Sequence, residues 1–142
     1  MADVAEWRIG VAEEEVGALE GTVVGGDDAE PTMTEFGAIK WLVNQHKVAG
    51  AEQTFGLVYI LPEHHNPLHY HPNCEEVLFV LSGECDHNLN DAVVHLKAGD
   101  VIVVPRGVHH NATCTSWEPL RATVSFSSGD RQSVMLEGDR QY

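Results

Sequence analysis

The sequence predicts an all-β domain, a sandwich or a barrel. Apolar segments of five to nine residues recur from Ala38 onward. Between them stand turn formers such as Pro62, Asn66, Pro72, Gly83, Asn90, Gly99, Gly107, Pro119 and Gly129. No helical apolar stripe of adequate length interrupts the series. Short, closely spaced strands with this punctuation belong to sandwiches and barrels.

Residues 1–37 read as an acidic, Gly-rich N-terminal arm, with Glu13, Glu14, Glu15, Gly25, Gly26, Asp27 and Asp28. Within it, residues 11–19 allow a short helix, and the remainder reads as a solvated segment. The barrel is expected over 38–127. Its strands are expected at 38–44, 54–62, 67–71, 76–83, 85–90, 92–96, 101–105, 109–114 and 120–126. A further apolar stretch, 133–137, lies in a C-terminal tail of residues 128–142.

A chain of 142 residues, 43% apolar and 21% charged, is globular and can bury a core without disulfides. Eight Lys and Arg against 22 Asp and Glu give a formal charge of −14. That field repels nucleic acid and anionic membranes, and favours a cation or a small ligand as partner. Cys74, Cys85 and Cys114 cannot all pair and form no CxxC, which fits a reduced, cytoplasmic protein. The N-terminal residues show no signal-peptide pattern. The apolar runs VLFVL and VIVVP are too short to span a bilayer.

Nine histidines concentrate the chemistry. In HYHPNCEE, His69 and His71 are spaced to share one face of a strand. Pro72 and Asn73 then turn the chain, and Glu75 and Glu76 open the next strand, returning one carboxylate to the two imidazoles. Two nitrogens and an oxygen suit a divalent first-row metal. A fourth ligand is expected from GDVIVVPRGVHHN, where only one of the adjacent His109 and His110 can point inward.

These residues make the chain resemble the cupins. That family's first motif, G-x5-H-x-H-x3,4-E-x6-G, is matched by His69, His71, Glu76 and Gly83. Its second, G-x5-P-x-G-x2-H-x3-N, is matched by Gly99, Pro105, Gly107 and His110. Fifteen residues, 84–98, separate the two. Glu63 stands at the first motif's leading Gly, and Cys114 at the second motif's closing Asn. The resemblance implies a single double-stranded β-helix, or jelly-roll, barrel. It implies one divalent transition metal (Mn, Fe, Ni, Co, Cu or Zn) held by His69, His71, Glu76 and His110, with positions left open.

By that resemblance the function is a mononuclear metal-dependent enzyme acting on a small oxygenated organic molecule. The leading expectation is dioxygenase-type oxidation of a chelating enol or hydroxyl substrate. The alternatives are a non-redox Lewis-acid isomerase, cyclase or lyase on a sugar- or polyketide-derived substrate, and a metal-dependent ligand sensor without turnover. Glu76, His64 and His65 are the candidate catalytic acid/base groups. His87 and His95 read as a solvated hairpin face. Tyr59, Phe79 and Trp41 read as core or pocket wall, and Arg106 as a turn residue that could receive an anion. A homodimer is expected, since in small cupins the chain ends often cross to a partner subunit.

Overall fold

The computed structural model describes residues 21–142, so the helix allowed at 11–19 lies outside the described residues. After a 3-10 turn at Gly26–Asp28 come eleven strands. They are β1 (Thr32–Met33), β2 (Gly37–Val43), β3 (Thr54–Ile60), β4 (His69–Tyr70), β5 (Glu76–Ser82) and β6 (Glu84–Leu89). Then follow β7 (Ala92–Lys97), β8 (Val101–Val104), β9 (His110–Cys114), β10 (Leu120–Phe126) and β11 (Val134–Met135). Each apolar segment read from the sequence overlaps one of the strands β2 to β11, with β2, β6 and β7 reaching one residue beyond the segment as read. β1 is additional, two residues of the arm that pair with β2.

The strands form two antiparallel sheets. One has six strands in the order β1-β2-β3-β10-β5-β8, and the other five in the order β11-β4-β9-β6-β7. From β3 to β11 the chain alternates between the sheets, except at the β6–β7 hairpin. This is the jelly-roll that the motifs imply. Alternation along β5 and β10 sends Leu78, Val80, Leu120, Ala122, Val124 and Phe126 into the space between the sheets. Each fully buried aliphatic side chain of this size stabilises the fold by about 1.5–3 kcal/mol. Phe36, Ile39, Ile60, Leu96, Ile102, Ala112 and the three free cysteines complete the core.

The same alternation corrects two expectations. Tyr59 and Phe79, expected as core or pocket wall, lie on the outer surface at 39% and 40% exposure. They occupy the opposite phase from Ile60 and from Leu78 and Val80. Trp41 is half-buried and packs against the core.

The turn from β4 to β5 also differs from a hairpin. β4 pairs with β9 and β11, and β5 with β10 and β8, so the turn crosses between facing sheets. The segment linking β8 to β9 crosses in the same way. Two crossings at one end of the barrel bring the two motifs together. The tail packs back on this chain. β11 pairs with β4, and Asn73 in the crossing turn donates to the Asp130 carbonyl and accepts from the Gln132 amide.

Two motif positions are explained by backbone conformation. Gly83 has φ +77, and a Cβ there would lie 2.6 Å from the Pro119 carbonyl oxygen. Glu63, at the place of the family's leading Gly, has φ 67, a left-handed conformation that disfavours a side chain. Gly83→Ala is therefore expected to lower the melting temperature by more than about 4 °C, since left-handed strain alone costs about 1–2 kcal/mol. Glu63→Gly is expected to melt at or above the wild type, and Glu63→Val below it. Thermal denaturation followed by circular dichroism checks all three. A tolerant Gly83 would contradict the clash.

Candidate metal centre

The two crossings bring His69, His71, Glu76 and His110 to one point. One ligand atom from each lies within 4.8 Å of all the others. His69 and His110 face each other as paired residues on β4 and β9. His71 follows β4 directly, and Glu76 begins β5 on the opposite sheet. His71, Glu76 and His110 are buried, and His69 is half-buried. The imidazole centroids lie 4.3 to 5.1 Å apart.

Backbone carbonyls fix the three rings. His69 Nδ1–H donates to the Pro67 carbonyl at 2.7 Å, and His110 Nδ1–H to that of Val108 at 2.8 Å. His71 Nδ1–H donates to the Gln132 carbonyl at 2.9 Å. A carbonyl only accepts, so the proton sits on Nδ1 and the Nε2 atoms of His71 and His110 face Glu76. His71 Nε2 lies 3.2 Å from Glu76 Oε2 and has no hydrogen-bond partner. In the neutral ring that is a lone pair facing a carboxylate oxygen, an arrangement that a metal cation or a proton between them would relieve. His110 Nε2 is closer, at 2.7 Å, and donates to the same oxygen.

The titration behaviour follows from this crowding. Burial, aided by His110, pushes His69 down to about 4, so the ring is a neutral donor at neutral pH. Burial alone would raise Glu76, but His110 and His71 together outweigh it and hold the carboxyl well below the usual range. Burial alone would lower His110, but Glu76 outweighs it and raises His110 above its ordinary value. Without a metal, Glu76 favours its anion and His110 holds its proton more firmly than a free imidazole does. The four donors fit one divalent transition metal in number, type and tautomer.

The donors open into a cavity between the sheets. Its walls are mostly apolar, with Phe36, Ile39, Trp41, Ile60 and Leu78 among them. Its volume is about 60 Å³, above the roughly 10–15 Å³ needed to hold a water.

Neither His64 nor His65 reaches it. Both are exposed; His64 Nδ1 bonds the Pro62 carbonyl at 2.9 Å, and His65 Nε2 lies 3.6 Å from Glu137. His109 faces outward and stacks on Tyr70, and Arg106 is exposed.

His87 is corrected from a solvated face to a buried one. It is 1% exposed, lines the cavity and stacks on His110 with ring centroids 5.8 Å apart. Burial pushes it down to about 4, and its Nδ1 has no partner. The signal was in the sequence: His87 is in phase with the apolar Cys85 on β6, two residues away. His95 stands on β7 and is exposed, bonding Asp86 and Glu84.

Fold and site together define a jelly-roll with a histidine and carboxylate donor cluster at one end. The chain belongs to the cupin family, whose cupin-domain model matches residues 56–126, half of its length. It is 26% identical to Protein SchB of Streptomyces halstedii over 88 residues, 62% of this chain and 64% of that one. It is also 26% identical to Polyketide synthase CurC of Streptomyces cyaneus over 105 residues, covering 74% and 68%. Among solved structures, it matches Bacillus subtilis oxalate decarboxylase with a TM-score of 0.71 and 25% identity. That match covers 78% of this chain and 31% of the decarboxylase, a protein with Mn(II) centres. The chain thus spans less than two thirds of the length of SchB and under one third of the decarboxylase.

A cation entering this cluster displaces the proton between His110 and Glu76. His110, raised above its ordinary value by Glu76, holds that proton more firmly than a free imidazole. Zinc uptake at mildly acidic pH in weak buffer is therefore expected to release protons, read with an indicator dye. Affinity is expected to fall as pH drops, because protonated imidazole cannot ligate. Uptake without proton release would contradict the assignment.

Proposed function

We propose that this protein is a mononuclear metal-dependent enzyme that binds one divalent metal through His69, His71, Glu76 and His110. Its substrate is a small oxygenated organic molecule. The supporting observation is the orphaned Nε2 of His71, held against the Glu76 carboxylate at the edge of an apolar cavity. When bound, the metal supplies a Lewis acid for an enol or hydroxyl oxygen, and a redox centre if it is Mn, Fe, Co, Ni or Cu.

The chain's own residues do the rest. Pro67, Val108 and Gln132 carbonyls hold the three rings in the ligating tautomer. The mostly apolar walls shield the donors from bulk water, which strengthens the electrostatic contacts within. Glu76, kept ionised in the cluster, is placed to take a proton from a substrate hydroxyl or α-carbon. We favour dioxygenase-type oxidation of a chelating enol, which the Mn(II) centres of the related decarboxylase support. The similarity to a protein named as a polyketide synthase supports a second reading, Lewis-acid cyclisation, isomerisation or elimination on a polyketide-derived substrate.

Two further parts of the reading rest on surface and thiol chemistry. Phe79, Leu81, Val101 and Val103 are exposed on β5 and β8, an apolar strip that supports a homodimer. Three buried free cysteines support a reducing, cytoplasmic setting. No helix among the described residues is long and apolar enough to cross a membrane.

Protein purified from metal-supplemented medium is expected to carry close to one metal per chain by elemental analysis. His69→Ala and His110→Ala are each expected to lose most of it while keeping the β-sheet spectrum. Oxygen consumption with a panel of enolic and catecholic compounds supports oxidation. Turnover retained with zinc under anaerobic conditions supports the Lewis-acid reading. Metal-free wild-type protein, or full metal content in both variants, would overturn the site.

A further inference from the structure

His87 is a buried histidine that the metal reading leaves without a task. It stands on β6 and turns inward in phase with Cys85, at 1% exposure. Its ring lines the cavity beside the metal donors but is not one of the four that cluster. It stacks on His110, with ring planes 7° apart and centroids 5.8 Å apart.

Its surroundings leave its hydrogen-bonding capacity unmet. Nδ1 has no partner. Across the two ladders His87 is paired with Ala112 on β9 and Val94 on β7, and neither side chain is polar. Among the described residues, the other polar side chains of the wall outside the donor cluster have partners within the protein. Asn111 donates to the Asn66 carbonyl at 3.0 Å and accepts from the Asn88 amide group at 2.6 Å. Asn66 Oδ1 accepts from the Ala112 amide at 2.8 Å. Ser133 Oγ accepts from Arg131 at 2.7 Å, and the Tyr142 hydroxyl donates to Glu35 at 2.6 Å. The wall's other partnerless nitrogen, His71 Nε2, belongs to the metal site.

A buried polar group without a partner is costly, and an apolar side chain at this inward position would avoid that cost. A ligand in the cavity removes it by supplying the missing partner. A molecule held by the donors from the cavity side lies next to His110, and therefore next to the ring stacked on it. A neutral imidazole has one donor and one acceptor nitrogen. A hydroxyl both donates and accepts, so it serves either nitrogen, whereas a carbonyl serves only the donor.

We propose that His87 is a second anchor for the substrate. The substrate carries a further hydroxyl beside the oxygens that meet the metal, and that hydroxyl hydrogen-bonds to the His87 ring. The proposal rests on the metal-dependent reading above and narrows it to polyhydroxylated substrates. Two oxygens on a metal leave a small chelate free to bind either way round. A third contact on the His110 side fixes one orientation.

The test uses cobalt-loaded full-length protein, kept free of oxygen, and two probes, catechol and pyrogallol. Both present a chelating diol; pyrogallol adds one hydroxyl beside it. Binding is read from the cobalt absorption spectrum. Wild-type protein is expected to bind pyrogallol about tenfold tighter than catechol. His87→Phe keeps a planar ring against His110 and removes both nitrogens. It is expected to cut that preference about fivefold or more, with cobalt content and catechol affinity unchanged. His87→Gln, which keeps a donor and an acceptor, is expected to restore part of it. A second readout needs no variant. In zinc-loaded protein labelled at the histidine nitrogens, pyrogallol is expected to shift the His87 ring resonances more than catechol does. The same preference in wild type and His87→Phe, or His87 resonances that pyrogallol leaves in place, would overturn the anchor. So would an equal loss for both probes in His87→Phe, which would mark a structural role, or no spectral change with either probe. Failure of the wild type to take up cobalt would instead overturn the metal reading itself.

Discussion

The interaction on which the site depends is the commitment of three imidazole N–H groups to backbone carbonyls. Pro67, Val108 and Gln132 each accept from one Nδ1. This leaves nitrogen lone pairs gathered around a buried carboxylate. Burying a carboxylate costs several kcal/mol after relaxation, and a facing lone pair adds to that cost. The metal-free protein answers it in part by protonating His110. A divalent cation answers it for all four groups at once, which is why the cluster reads as a metal centre rather than as a structural polar core.

The rest of the molecule places those carbonyls. Pro67 and Val108 precede their histidines by two residues, so each motif carries its own orienting group. Gln132 does not; it comes from the tail, fastened to the crossing turn by the Asn73 side chain. The tail also delivers Arg131 and Ser133 to the cavity wall. A segment outside the motif-bearing strands thereby orients a donor and lines the cavity.

The strands were legible from turn residues and apolar runs, because a period-two pattern with Gly and Pro punctuation is local information. The donor set was legible because its four residues lie within two short motifs with fixed spacing. His87 was readable in principle, from its phase with Cys85 on β6, but its nearness to the Asn90 turn suggested solvent. Tyr59 and Phe79 misled in the opposite direction: they are large apolar side chains on outward positions. Arg131 could not be read at all. Its approach to the cavity follows from the tail folding back over the barrel, and no local pattern encodes that. His64 and His65 adjoin the ligand strand in sequence, yet adjacency along the chain did not place them in the cavity.

Diffraction measured on both sides of the absorption edge of the bound metal tests this account most directly. The account predicts one anomalous peak per chain, about 2.0–2.2 Å from Nε2 of His69, His71 and His110 and from a Glu76 oxygen, with a coordination position facing the apolar cavity. A peak elsewhere, or a cation that leaves the His71 nitrogen unengaged, would contradict it.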